Sequence, residues 1–130
     1  MKSIFYSALL VLLFITAPVS AYNSYDLATL LNTGSCTYGD LSGAELSNLD
    51  LTGADLTGSN LTGARLVKTK LTGAVFDNAI LTKAVLTNAE LEKASFKTAL
   101  LTYTNFNNSN LAAADFSHAN AFRSRLANCN

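Results

Sequence analysis

From Leu41 to Leu126 a large apolar residue returns at every fifth position without one insertion. Of these eighteen central positions, thirteen are Leu, four are Phe and one is Ala121. The position two residues before each centre is just as restricted: eleven are Ala and the rest are Gly, Ser or Thr, except Leu49. An α-helix repeats about every 3.6 residues and a flat strand about every two, so neither keeps this pattern on one face. A backbone that turns a corner every five residues does. Four such sides close a coil of about twenty residues, each coil stacked on the last at about 4.8 Å. Centres and small positions then point inward, while Asp, Asn, Thr, Ser, Gly and Lys form the turns or face water. The pattern predicts an all-β solenoid, a four-sided β-helix of about 4.5 coils.

In such a coil, side chains twenty residues apart are stacked neighbours. Opposite charges fall at that spacing in Glu45/Arg65, Asp50/Lys70, Lys70/Glu90 and Asp77/Lys97, and within the repeats no like-charged pair does. Asn48, Asn88, Asn108 and Asn128 share one edge with Lys68 between them, which predicts an amide ladder.

The segments AELSN, ADLTG, ARLVK and AVLTN resemble the A-(D/N)-L-x-x consensus of the pentapeptide repeat family. The resemblance covers nearly all of the chain beyond its N-terminal segment. It implies a right-handed quadrilateral β-helix, and a protein that acts through its surfaces rather than as an enzyme.

At the N-terminus, Lys2 precedes an almost unbroken apolar run from Ile4 to Thr16, and Val19-Ser20-Ala21 supplies small residues at cleavage positions. Residues 1–21 therefore read as a signal peptide, and the run is shorter than the roughly twenty residues a spanning helix needs. The alternative is an uncleaved anchor; after cleavage no stable membrane anchor is expected, and the protein would be secreted or periplasmic. Residues 22–38 are assigned to a cap segment, 39–128 to the repeats and 129–130 to a tail. The stretch 24–33 predicts a short capping helix, with Ser24 as N-cap, Asp26 in the first turn, Leu27, Leu30 and Leu31 as its apolar stripe and Gly34 as its stop. No comparable helix follows the last repeat. Phe122 and Leu126 are expected as partial plugs there, and that end is expected to invite a homodimer, a recurrent use of it in the resembled family.

Cys36 and Cys129 stand ninety-three residues apart, which in a stack of this rise places them roughly 22 Å apart, too far for a disulfide. Both fall on inward phases. Two buried thiols, or an intermolecular bridge through Cys129, are the readings left open. Resemblance to the family would place a second cysteine at 39, where this chain has Gly39.

Without residues 1–21 the chain carries eight Lys/Arg against nine Asp/Glu. That balance offers neither a nucleic-acid footprint nor an acidic mimic. The charge is unevenly placed, with five acids and no base in residues 22–60, and eight bases and four acids in residues 61–130. No cysteine pair, histidine motif or phosphate loop of known catalytic or metal spacing occurs. Asp115, Ser117 and His118 suggest a triad by proximity, but they flank an inward Phe116 on an outer wall. No catalytic residue, metal site or cofactor is expected.

One surface feature departs from the repeat. The position before each centre is usually Asp or Asn, yet it carries Val75, Ile80, Val85 and Leu100 in mid-chain. Ile80 and Leu100, twenty apart, are expected to stack on one face with Lys83 and Tyr103 beside them, and the six residues form a candidate interaction face for an unknown protein partner, or else ordinary wall residues of high β propensity. Arg123 stands where it could lie over Tyr103. The leading functional expectation is an exported, non-enzymatic structural or protein–protein interaction module. The other is a DNA-mimicking regulator of a topoisomerase such as gyrase, which the signal peptide and near-neutral charge disfavour.

Overall fold

The computed structural model describes residues 22–130. One helix, α1 (Ser24–Thr33), precedes a four-sided parallel β-helix. Fifteen isolated parallel bridges define the coil, and every one joins residues twenty apart, from Ser35↔Asp55 to Asn105↔Arg125. The expected twenty-residue period therefore holds throughout. The coil begins at Ser35, inside the stretch assigned to the cap. We number its sides by their outward pre-centre residues: side 1 carries Asp40, Asn60, Ile80, Leu100 and Asn120, side 2 starts at Glu45, side 3 at Asp50 and side 4 at Ser35.

Each centre is followed by a turn with one left-handed residue. In the turn after Leu41, the Ala44 N–H donates to the Leu41 carbonyl at 3.0 Å, and Gly43 has φ 69°. Positive φ at the third turn residue alone is the type II geometry, which suits glycine. Five of these positions are glycine, but the other thirteen hold side chains, including Lys93, Thr98 and Tyr103 at φ between 58° and 60°, and Tyr38 repeats the geometry after Cys36. A left-handed non-glycine residue costs roughly 1–2 kcal/mol, so burial of the flanking centres must hold these turns. Lys93 is exposed. Lys93→Gly should accordingly raise stability by about 0.5–1 kcal/mol after the entropy of a freer unfolded chain is subtracted. A lower midpoint in urea than wild type would refute this account of the turns.

Inside, Leu41 through Leu101 and Phe106 are fully buried at the centres, with Ala between them. Phe76, Phe96 and Phe116 form one column, with centroids 4.8 and 4.9 Å apart and ring planes within 5°. Hydroxyls at small positions are satisfied: Thr69, Thr104 and Ser109 donate to the carbonyls of Leu46, Leu81 and Leu86.

α1 closes the N-terminal end, burying Leu27, Leu30 and Leu31 as expected, and Gly34 ends it at φ 74°. Its N-cap is Asn23, not Ser24: the Asn23 side-chain oxygen accepts from the Tyr25 N–H at 2.9 Å. The helix is stitched to the first coil by Asp26, whose carboxylate accepts from the Asp40 N–H at 2.8 Å, and by the Asn23 N–H on the Asp40 carbonyl. The signal-peptide assignment, on residues 1–21, lies outside the described residues.

Candidate functional site

The pre-centre position has a structural duty that explains its composition. Asp40, Asp50, Asp55, Asn60, Asn105, Asn110, Asp115 and Asn120 each accept a hydrogen bond from the backbone N–H two residues on, at 2.9–3.1 Å. This local side-chain cap serves an N–H that the ladder leaves unpaired. Val75, Ile80, Val85 and Leu100 cannot provide it. Ile80 and Leu100 recover little by burial, being 40% and 36% exposed.

These four residues do not share a face. Ile80 and Leu100 are bridged to each other on side 1, whereas Val75 lies on side 4 between Asp55 and Ser95, and Val85 on side 2 between Arg65 and Asn105. Both valines are only partly exposed. Lys83 and Tyr103 stand one coil apart on the corner that ends side 1. The assembled surface is thus Ile80, Leu100, Lys83 and Tyr103, with the valines on its flanks.

Two residues complete it. Arg123 follows Tyr103 on the same corner, with its guanidinium carbon 5.8 Å from the Tyr103 centroid and Nη1 donating to the Tyr103 hydroxyl at 3.2 Å. Phe122 is not the partial plug expected from sequence. It points outward at 57% exposure, packs edge-on against Tyr103 at 6.2 Å and carries the same guanidinium at 5.2 Å. The signal for it was available: Ala121 stands at a centre and a Phe directly after it, one step out of phase. Leu126, the other expected plug, is 47% exposed. With Ala121 in place of a larger centre, an open apolar depression of about 200 Å³ remains between Leu101, Phe106, Phe116 and Leu126.

The expected charge stacks are only partly made. Glu45 and Arg65 pair at 3.1 Å. Lys97 passes over Asp77 and reaches Asp115 at 3.5 Å, because Asp77 already accepts from the Ser95 hydroxyl and the Lys97 N–H. Neither Asp50/Lys70 nor Lys70/Glu90 closes to an ion pair, although the nearby Thr52 hydroxyl, the Thr52 N–H bonded to the carboxylate and the charge of Lys70 hold the Asp50 carboxyl below its usual range. Of the amide ladder, one rung forms, from Asn128 to Asn108 at 3.1 Å.

Ser117 donates its hydroxyl hydrogen to Asp115, and this contact, followed by the Ser117 N–H, lowers the Asp115 pKa. The serine oxygen is thus oriented by a carboxylate rather than by His118, and the triad geometry is not formed. Both cysteines are free thiols. Burial, reinforced by the charge of Asp26, pushes the Cys36 thiol up to about 11, which keeps it protonated and unreactive at neutral pH. Cys129 is half-buried, its Sγ 3.1 Å from the Phe106 carbonyl oxygen.

The family model for pentapeptide repeats matches residues 40–78, 59–97 and 89–128. No curated protein matches the chain. Among solved structures, a pentapeptide repeat protein from the Arabidopsis thaliana thylakoid lumen is 31% identical, with a TM-score of 0.65 over 82% of this chain and 68% of that one. HetL, a pentapeptide repeat protein involved in heterocyst differentiation regulation in the cyanobacterium Nostoc, is 28% identical, with a TM-score of 0.58 over 70% of this chain and 46% of its own. QnrB1, a plasmid-mediated fluoroquinolone resistance protein, shares the fold at 20% identity and a TM-score of 0.51, over 69% of this chain and 56% of its own. The coil is the right-handed quadrilateral β-helix of these proteins.

Proposed function

Since the chain belongs to the pentapeptide repeat family, we propose that it is an exported, non-enzymatic interaction module whose contact face is side 1 and the corner bearing Lys83, Tyr103 and Arg123. One observation carries the contact face. Ile80 and Leu100 give up the side-chain cap that Asp or Asn supplies elsewhere, and they stay 40% and 36% exposed. A position that breaks the local rule and stays exposed is where function is to be sought.

Export is supported by the sequence of residues 1–21 and by the lumenal origin of the Arabidopsis protein. The non-enzymatic reading is supported by how the inward positions are spent: centres and small positions are filled by Leu, Phe and Ala, and inward hydroxyls are bound to carbonyls. A topoisomerase regulator would need a long acidic surface, whereas residues 61–130 hold eight bases and four acids.

The test is Ile80→Asn with Leu100→Asn. The asparagines restore the cap to the N–H groups of Thr82 and Thr102, each bond worth about 0.5–1.5 kcal/mol. We expect thermal stability equal to or above wild type, together with loss of the exported protein's association with its partner, read as its size on gel filtration from the host's exported fraction. A double variant that melts well below wild type would make these residues structural and end the contact-face reading. Intact mass of the same sample should begin at Tyr22; a full-length cytoplasmic product would end the export reading.

A further inference from the structure

The chemistry of this face selects a class of partner, and the inference rests on the face being a contact surface. Ile80, Leu100, Tyr103 and Phe122 are 40%, 36%, 45% and 57% exposed. Together they offer on the order of 400 Å², about half of what one side of a standard protein–protein interface buries. The apolar depression between Leu101, Phe106, Phe116 and Leu126 lies at the end of the coil and not on side 1.

Its surroundings are basic. Lys83 and Arg123 flank Tyr103 on the corner, and Arg125 stands beyond that corner on side 2. Among the described residues the ion pairs are Arg65–Glu45 and Lys97–Asp115, so these three cations are uncompensated. The nearby acids are committed elsewhere: Asp77 to Ser95 and the Lys97 N–H, Asp115 to Ser117 and Lys97. The five acids of residues 22–60 occupy the first coils and the cap. The apolar patch therefore sits on the positive half of a dipolar rod. Arg123 is held against two aromatic rings and the Tyr103 hydroxyl, which keeps its charge at the level of the apolar surface.

Aliphatic side chains on side 1, with amphipathic rings and the cationic heads of Lys83 and Arg123 on its corner, match the boundary between acyl chains and phosphates. We propose that this face docks reversibly on an anionic lipid bilayer, with Leu100 and Phe122 entering the interface and Lys83 and Arg123 at the lipid phosphates.

The probe is a large unilamellar vesicle of phosphatidylcholine and phosphatidylglycerol at three to one, against phosphatidylcholine alone, in sedimentation with the wild-type and variant proteins. All proteins share one N-terminus, so any contribution of residues 1–21 cancels between them. The expected result is salt-sensitive binding that favours the anionic vesicles. Leu100→Asn with Phe122→Ser should weaken it at least tenfold. Arg123→Glu, which changes the charge by two, should weaken it by more than the roughly fivefold expected from one basic residue. Lys70→Glu, the same charge change on side 3, should stay within twofold of wild type, which separates this patch from net charge. Equal binding by all variants, or no preference for anionic vesicles, would overturn the proposal. A photo-crosslinker at position 103 in the exporting host decides between failures. Adducts with one protein would reject the lipid partner and keep the contact face, and adducts with neither lipid nor protein would reject both.

Discussion

Leu86→Asp should yield no cooperatively folding protein. Leu86 is fully buried in a column between Leu66 and Phe106, and its carbonyl already accepts from the Ala89 N–H at 3.2 Å and from Ser109 Oγ. No donor is left over for a carboxylate. Burying an unpaired charge costs several kcal/mol even after relaxation, and loss of the leucine adds about 2–5. Their sum rivals the whole stability of a domain of this kind, about 5–15 kcal/mol. Leu86→Ala should retain the fold and lose about 2–4 kcal/mol. Leu126→Asp is the matched control, because Leu126 belongs to the same column but is 47% exposed; it should cost less than about 1 kcal/mol. Circular dichroism melts of the three variants give the comparison. A Leu86→Asp protein that melts like wild type would mean that the column is not close-packed.

Gly39→Ala should be the most damaging single methyl addition. A Cβ at this position would stand 2.2 Å from Cys36 Sγ and 3.2 and 3.3 Å from Asp26 Cγ and Cβ. Neither neighbour can step back freely. Cys36 is buried against the core, and Asp26 holds the Asp40 N–H that ties α1 to the first coil. Overpacking at a rigid site costs about 1–3 kcal/mol, and we expect the upper end here. By contrast, Gly43, Gly53, Gly63 and Gly73 have nothing within 4 Å of an added Cβ, so alanine there meets only the cost of a left-handed backbone. The cause can be isolated by adding Cys36→Ala, which removes the clashing sulfur. In a double-mutant cycle the pair should be coupled by at least about 1 kcal/mol in the rescuing direction. Strict additivity in urea unfolding would show that crowding against Cys36 is not the reason.

The same glycine shows where sequence reasoning stops short. Its place in the repeat identified it as a small inward residue, but not that a sulfur atom and a helix carboxylate fill the space above it. Phe122 is a second case. Its phase slip relative to Ala121 was plain in the chain, yet only the stacking of Tyr103, Phe122 and Arg123 shows that the ring turns outward to join a surface rather than cover the coil. Val75 and Val85 illustrate the reverse error: the twenty-residue spacing rightly stacked Ile80 on Leu100, but consecutive repeats occupy consecutive sides, so the two valines grouped with them lie on the neighbouring sides.

What could be read from the chain is the period, the inward set, the four-sided coil and the capping helix with its buried leucines. Each follows from a volume constraint repeated nearly every five residues: an inward position admits only a large centre or a small filler, whatever its neighbours do. Partner choice among exposed groups obeys no such constraint. Lys97 takes Asp115 instead of Asp77, Asn23 rather than Ser24 caps α1, and Lys, Thr and Tyr accept left-handed turns that favour glycine. Alternatives of this kind differ by only about 1 kcal/mol each. Such margins are settled by where the stacked coils bring atoms within reach, which the tertiary structure alone decides.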